Sequence, residues 1–288
     1  MRTYIHYPYF TSQLSTNTQS CDESPYEGCS FTQDYRPSSS ASLFTVCTFN
    51  GLSAADCGGA ISFVSGDSLT LDQCTFQLCY TTNALVDWNG GGAVLMKCGS
   101  FFSAHSCTFI KCSTSSYGGG IVAEDRCESS TVSYCSFISC TAGYGGGLMT
   151  FCGPTSSVSS SRFILCTSSR SGGGMYHNSN LDSDFLSLSD SLFISNSAEF
   201  HNGSGSQNIR GGGAFEDYRS NTYTSQYSFS FFFGNTAPNG VGNDISINTN
   251  ILSLNNIIHC FTTTTENSFC NSGSYQTTEG LDWLPLGI

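Results

Sequence analysis

Charge is scarce in this chain. Of 288 residues only 10% are Asp, Glu, Lys or Arg, against about a quarter in an ordinary globular protein. The deficit is deepest on the positive side, with 9 basic residues against 21 acidic ones and a net charge of −12. That balance excludes the basic footprint of a nucleic-acid binder and offers little attraction to an anionic membrane. Long apolar runs are missing as well. The longest cluster, FSFFF at 229–233, is the size of a strand, far below the roughly 18 apolar residues of a membrane span. The opening MRTYIHYPYF has no apolar core of a signal peptide, so membrane attachment is expected only through segments absent from this chain. Strong helix formers are thin, and Ser, Thr, Asn and Gly stand in their place beside 22 Phe and 14 Tyr. Small hydroxyl and amide side chains compete for backbone hydrogen bonds and glycine costs entropy, so the mixture disfavours helices and suits strands joined by turns.

Sixteen cysteines are present, fourteen of them between Cys21 and Cys166. The count favours an extracellular or otherwise oxidising setting. Their placement follows an internal repeat in which two phrases alternate. One reads [Cys/Ser]-x-Phe-x-x-[Cys/Asn], with Phe49, Phe76, Phe109, Phe137, Phe163, Phe193 and Phe232. The other is a glycine pair or triplet followed by apolar residues, ending at Gly59, Gly92, Gly120, Gly147, Gly174 and Gly213. From last glycine to next Phe the spacing is 17, 17, 17, 16, 19 and 19 residues. From Phe to the last glycine it is 10, 16, 11, 10, 11 and 20. The second interval therefore carries two insertions, YTTNALVDWN and SAEFHNGSGSQNIR.

Each unit holds three short apolar runs and no helical periodicity. The expectation is all-β: a right-handed parallel β-helix of about seven coils, stacked at about 4.8 Å. Equivalent residues then form columns along the rod. The Phe column and the Cys two residues before it share strand parity, so both face inward, Phe as an aromatic stack and Cys as a small apolar filler. Residues 45–243 hold the repeats. Residues 1–44 are expected to be an N-terminal cap or flexible leader, and 244–288 a terminal coil and C-terminal cap.

The phrases GGAI (58–61), GGAV (91–94), FISN (193–196) and FFGN (232–235) resemble the paired GGA[ILV] and FxxN motifs of the chlamydial polymorphic outer-membrane proteins. They also resemble the similar repeat proteins of trichomonad parasites. PNGVGNDI (238–245) and DWLP (282–285) look more like the trichomonad branch. The resemblance covers roughly residues 45–260 and implies a β-helical domain at the cell surface or outside the cell, associated with adhesion rather than catalysis. Four copies depart from it, with Cys79, Cys112, Cys140 and Cys166 where the motif has Asn.

The recurring C-x4-C spacing suggests a metal site, but residues five apart on a strand point to opposite faces, and later copies carry Ser161, Ser191 and Asn196 instead. No metal or cofactor is expected. Stacked thiols sit too far apart for a column of disulfides, whereas Cys21–Cys29 or Cys260–Cys270 could pin the ends. A polysaccharide lyase or glycoside hydrolase on a pectin-lyase-like β-helix is the alternative, since His177 and Glu216 occupy equivalent positions on adjacent coils and are expected to face solvent. Hydrolysis of a glycosidic bond asks for two flanking carboxylates, and Asp217 should point to the other face. The favoured reading is a non-enzymatic adhesion or structural module. Tyr176, His177, Arg210, Glu216 and Tyr218, with Arg170 and the loop from Ile194 to Gly211, would contact host-cell or extracellular glycans or proteins. The sequon Asn202-Gly203-Ser204 lies in that loop.

Overall fold

In the computed structural model, residues 25–36, 41–64, 66–82, 90–97, 99–124, 127–151, 155–179, 185–199, 211–218, 224–237, 245–248 and 258–262 are described. Every regular element among them is a β-strand and every pairing is parallel. After the glycines, Ile61–Phe63, Val94–Lys97, Ile121–Glu124, Leu148–Phe151, Met175–Ser179, Ala214–Tyr218 and Ile245–Asn248 form one seven-stranded ladder. A second, middle ladder includes Ser68–Asp72, Phe101–His105, Ser129–Ser133 and Thr155–Ser159. A third carries the Phe phrase, in strands such as Thr75–Gln77, Thr108–Ile110, Ser136–Ile138 and Arg162–Ile164. A short fourth ladder pairs Thr141–Tyr144, Thr167–Ser171 and Ser197–Ala198. Each strand bonds to its counterpart one repeat on, for example Phe109 to Phe137 and Ile121 to Leu148. The chain is thus a parallel β-helix. The strand Thr224–Phe233 runs unbroken through a corner and joins the middle and Phe ladders into one sixteen-stranded sheet.

The Phe column is the spine of the core. Phe31, Phe49, Phe76, Phe109, Phe137, Phe163, Phe193 and Phe232 stack with centroids 4.5 to 4.9 Å apart and planes within 7°. That separation is the spacing between hydrogen-bonded strands, so the backbone ladder sets the ring stack. The first rung comes before the expected boundary at residue 45. Tyr26–Glu27 and Ser30–Phe31 pair with Ala41–Thr45 and Thr48–Asn50. Tyr26, Phe31, Tyr35 and Phe44 then close the end with ring-to-ring contacts and a Tyr26–Tyr35 hydroxyl pair.

Two left-handed corners flank each Phe strand, and they explain the cysteines. The first corner uses Val46, Gln73, Ser106, Tyr134, Ser160, Asp190 and Phe229, with φ between 48 and 56°. Side-chain residues rarely adopt that conformation. The next residue ties the corner down. The hydroxyls of Ser161 and Ser191 donate to the carbonyls of Ser159 and Ser189 at 2.8 Å, and the thiols of Cys74, Cys107 and Cys135 make the same bond at 3.3 Å. Cys107, Ser161, Ser191 and Ser230 also accept from the backbone N–H one coil earlier, as Ser161 Oγ does from Cys135 at 3.1 Å and Cys107 Sγ from Cys74 at 3.4 Å.

The second corner repeats the logic with a longer side chain. Asn196 Nδ2 donates to Phe163 O at 2.9 Å while its Oδ1 accepts from Cys166 N at 2.9 Å. In the earlier coils thiols reach the equivalent carbonyls, Cys140 to Phe109 O at 3.5 Å and Cys166 to Phe137 O at 3.4 Å. The column therefore needs a small buried donor, and Cys is a weaker version of Asn there.

The expectation that cysteines five apart face opposite ways is overturned. Cys107 and Cys112 are both buried, because Lys111, at φ 52°, breaks the strand alternation between them. Ten described cysteines are free thiols. The neighbouring Cys107 thiol, and then burial, push Cys74 up to about 12, so the Cys74 thiol stays protonated and unreactive. Cys29 is disulfide-bonded; Cys21, the partner considered for it, lies outside the described residues, as does Cys270.

Candidate functional site

The glycine ladder carries Tyr176, His177 and Glu216 of the expected site, and its register decides what each can do. The true interior column is Phe63, Met96, Ala123, Thr150, His177, Glu216. Counting from the last glycine misplaces its first two members by one residue, because Ala60 and Ala93 hold the place that Gly120, Gly147 and Gly174 hold later. His177 and Glu216 are indeed in register on adjacent coils. They do not face solvent. Both are 1% exposed, on the same side of the strand as the core residues Met175 and Ala214. Alternation puts the first and third residues of these strands inside and the second and fourth outside.

Inside, the three polar side chains replace what earlier coils fill with Phe, Met and Ala. Thr150 Oγ1 and His177 Nδ1 are 2.7 Å apart. Neither carboxyl oxygen of Glu216 has a well-formed hydrogen bond among the described residues. The Ser225 hydroxyl, inward-facing on the middle ladder, only partly offsets its burial. Burial holds the His177 imidazole down to about 3 and pushes the Glu216 carboxyl well above the usual carboxylate range. Both are therefore neutral at pH 7, sealed from any polymeric substrate. The acid–base pair considered for glycan cleavage is corrected on this ground.

The burial makes a pH prediction. His177 is depressed below its unfolded value of 6.5, so it contributes stability that is present above pH 6.5 and lost as pH falls toward 3. Glu216 is raised above 4.5, so its contribution is present below pH 4.5 and lost as pH rises through its folded value. Measured by urea unfolding, His177→Leu should gain on the wild type by about 2 kcal/mol more at pH 5 than at pH 8. Glu216→Leu should show the opposite slope, its advantage growing toward pH 8. Parallel stability curves for wild type and both variants would show that neither group titrates from a buried site.

The outer face of the same ladder carries a different set of groups. Leu95, Val122, Met149, Tyr176 and Phe215 form its outward column, a second buried apolar cluster, and Tyr117 and Tyr144, which precede the glycines of their coils, pack against it. The rings of Tyr117, Tyr144, Tyr176 and Phe215 follow one another with centroids 5.2, 5.0 and 5.5 Å apart. Tyr117 and Tyr144 are half-buried, whereas Tyr176 and Phe215 are buried. The exposed Arg170 lies over the Tyr144 ring at 5.1 Å and donates from Nη1 to the Tyr144 hydroxyl at 3.1 Å. Asn178 Nδ2 donates to the Tyr176 hydroxyl at 3.2 Å, and that hydroxyl donates to Asp217 Oδ2 at 3.3 Å. Burial, then the Asp217 charge, raise the Tyr176 phenol well above its ordinary value, so it acts only as a neutral donor and acceptor.

Of the expected patch, then, Tyr176 lies on the outer face beside Arg170's partner Tyr144, and His177 and Glu216 lie inside. Arg210, the sequon and most of the 194–211 loop lie outside the described residues, as does the Tyr218 side chain. Tyr117 and Tyr144 escaped the sequence reading, although SSYGGG and AGYGGG place a tyrosine before the glycines in two consecutive coils. Among the described residues no group of three His, Cys, Asp or Glu could hold a metal ion, and no helix is long and apolar enough to cross a membrane. No family model, curated protein or solved structure matches the chain.

Proposed function

We propose that this chain is a non-enzymatic β-helical module, secreted or surface-exposed, used for adhesion or as structure. Its outer strip would contact host-cell or extracellular glycans or proteins. The observation that carries the reading is the arrangement of Tyr117, Tyr144 and Arg170. Two part-exposed phenols and a guanidinium stand on consecutive rungs of a stiff rod, a fixed array of donors and acceptors facing solvent. The GGA[ILV]/FxxN resemblance points the same way. Burial of His177 and Glu216 speaks against the lyase or hydrolase alternative, because a reacting glycosidic bond must reach both groups.

The test is a binding screen of the full chain on glycan arrays and host cells, with product release from acidic polysaccharides measured alongside. A Tyr144→Ala/Arg170→Ala variant should lose at least about tenfold in binding, the scale of one or two interface anchors. No sugar should be released. Turnover of a polysaccharide, or binding indifferent to that variant, would overturn the proposal.

A further inference from the structure

Beside the tyrosines, the fourth ladder presents a row of small hydroxyls. Ser113, Thr141, Thr167, Ser197 and Thr236 are in register on consecutive coils. Each is half-buried or exposed, and Thr236 Oγ1 donates to Ser197 Oγ at 3.1 Å. Between this row and the tyrosines the register breaks. Ala142 pairs with Ser168 and Tyr144 with Ser171, so the single residue Gly143 opposes two, Ser169 and Arg170. Such a β-bulge re-aims a side chain, and here that side chain is Arg170, exposed and held over the Tyr144 ring.

The partners of Arg170 are phenols, not carboxylates. Arg36 lies against Asp34 and Asp56, and Lys97 against Glu124. Among the described residues no Asp or Glu comes within ion-pair distance of Arg170. The Tyr144 hydroxyl takes one of its N–H donors, and the others stay open to an acceptor.

We propose that Arg170 makes the outer strip selective for a glycan that ends in an acidic sugar. The carboxylate or sulfate would sit on the guanidinium, with the sugar hydroxyls along the two rows. This rests on the adhesive reading above and names its ligand. Charge chooses the sign, since a guanidinium already positioned by Tyr144 binds an oxyanion at little ordering cost. The net charge of −12 and the exposed Glu199 on the next coil limit the ligand to an isolated charge, because a polyanion would be repelled. The surroundings choose a sugar over a protein. No exposed large apolar side chain stands in 113–117, 141–144 or 167–171, so the strip has no anchor of the kind protein interfaces depend on. Rungs at about 4.8 Å repeat at nearly the length of one sugar in an extended glycan, so successive rings can meet successive coils.

On glycan arrays the full chain should favour lactose capped by sialic acid over lactose by at least about tenfold, the scale of one charge-assisted contact. Methyl esterification of the carboxylate should remove the preference. Sulfated lactose separates the two anions, and preference for either sustains the proposal. Arg170→Gln should abolish the difference between acidic and neutral probes with unchanged far-ultraviolet circular dichroism. Arg162→Gln, which removes an exposed arginine from the Phe ladder, should keep it. Equal binding of acidic and neutral glycans, or a preference that survives Arg170→Gln, would overturn the inference and leave the adhesive reading standing. Cell binding that survives enzymatic removal of surface glycans would do the same, making the partner a protein. Absence of binding to cells and glycans alike would overturn both.

Discussion

Replacing Gly146 by alanine is expected to abolish the folded state, although it adds one methyl group. The added Cβ would lie 2.2 Å from Gly173 O and 2.7 Å from both the N and O of Thr167. All three are backbone atoms of the following coil, held in place by its own ladder bonds. Gly59, Gly92, Gly119 and Gly173 have the same surroundings, each with a carbonyl of the next coil at 2.2 to 2.3 Å. No side-chain rotation relieves such a contact, so the coils must part. A cost above about 4 kcal/mol follows, at the extreme of single substitutions. Gly120→Ala supplies the internal control. Its nearest contacts are at 2.8 Å, one of them a Phe137 ring carbon, and Ala60 and Ala93 occupy the equivalent place in earlier coils, fully buried. Circular dichroism and urea unfolding should find Gly146→Ala unfolded and Gly120→Ala folded, weaker by about 1–3 kcal/mol. Equal behaviour of the two would refute the close-approach account of the glycine motif.

The same positions show what can be read from sequence in this fold and what cannot. Two phrases at near-constant spacing suffice for coils, because only stacking makes equivalent residues meet. Phe109 under Phe137 and Ser161 in place of Cys135 follow from that alone. Register within one phrase is harder. GGA and GGG occupy the same three places, and a count from the last glycine slips by one where alanine stands third. Facing is harder still, since corners such as Lys111 reverse the alternation that strand parity assumes. A signal for His177 and Glu216 was nevertheless present. Once aligned, their column begins Phe63, Met96, Ala123, a run of residue types that belongs inside. The outer strip depends on Tyr117 and Tyr144, whose rings meet only because Gly118 and Gly145 turn the chain identically, at φ 57 and 62°. That turn has no counterpart in hydrophobic periodicity.

The second large effect is expected at the centre of the aromatic spine. Phe137 is fully buried and stacks on Phe109 at 4.9 Å and Phe163 at 4.8 Å. Its edge also packs against the backbone at Gly120 and Gly147, where an added Cβ would find ring or Cβ atoms of Phe137 at 2.8 and 3.0 Å. Phe137→Ala therefore empties a volume bounded above, below and on one side. The ladder spacing that holds Phe109 and Phe163 apart prevents them from closing the gap, so little of the cavity collapses. The cost should fall at the upper end of the range for such a truncation, about 4–5 kcal/mol. Phe137→Leu refills most of the space and should cost about 1–2 kcal/mol. Because each coil touches only its neighbours, the loss also has a position. Hydrogen exchange should accelerate first in Ser136–Ile138 and its partners Thr108–Ile110 and Arg162–Ile164, with Thr48–Asn50 still protected. Uniform acceleration along the whole rod would show instead that the stack melts as one cooperative unit.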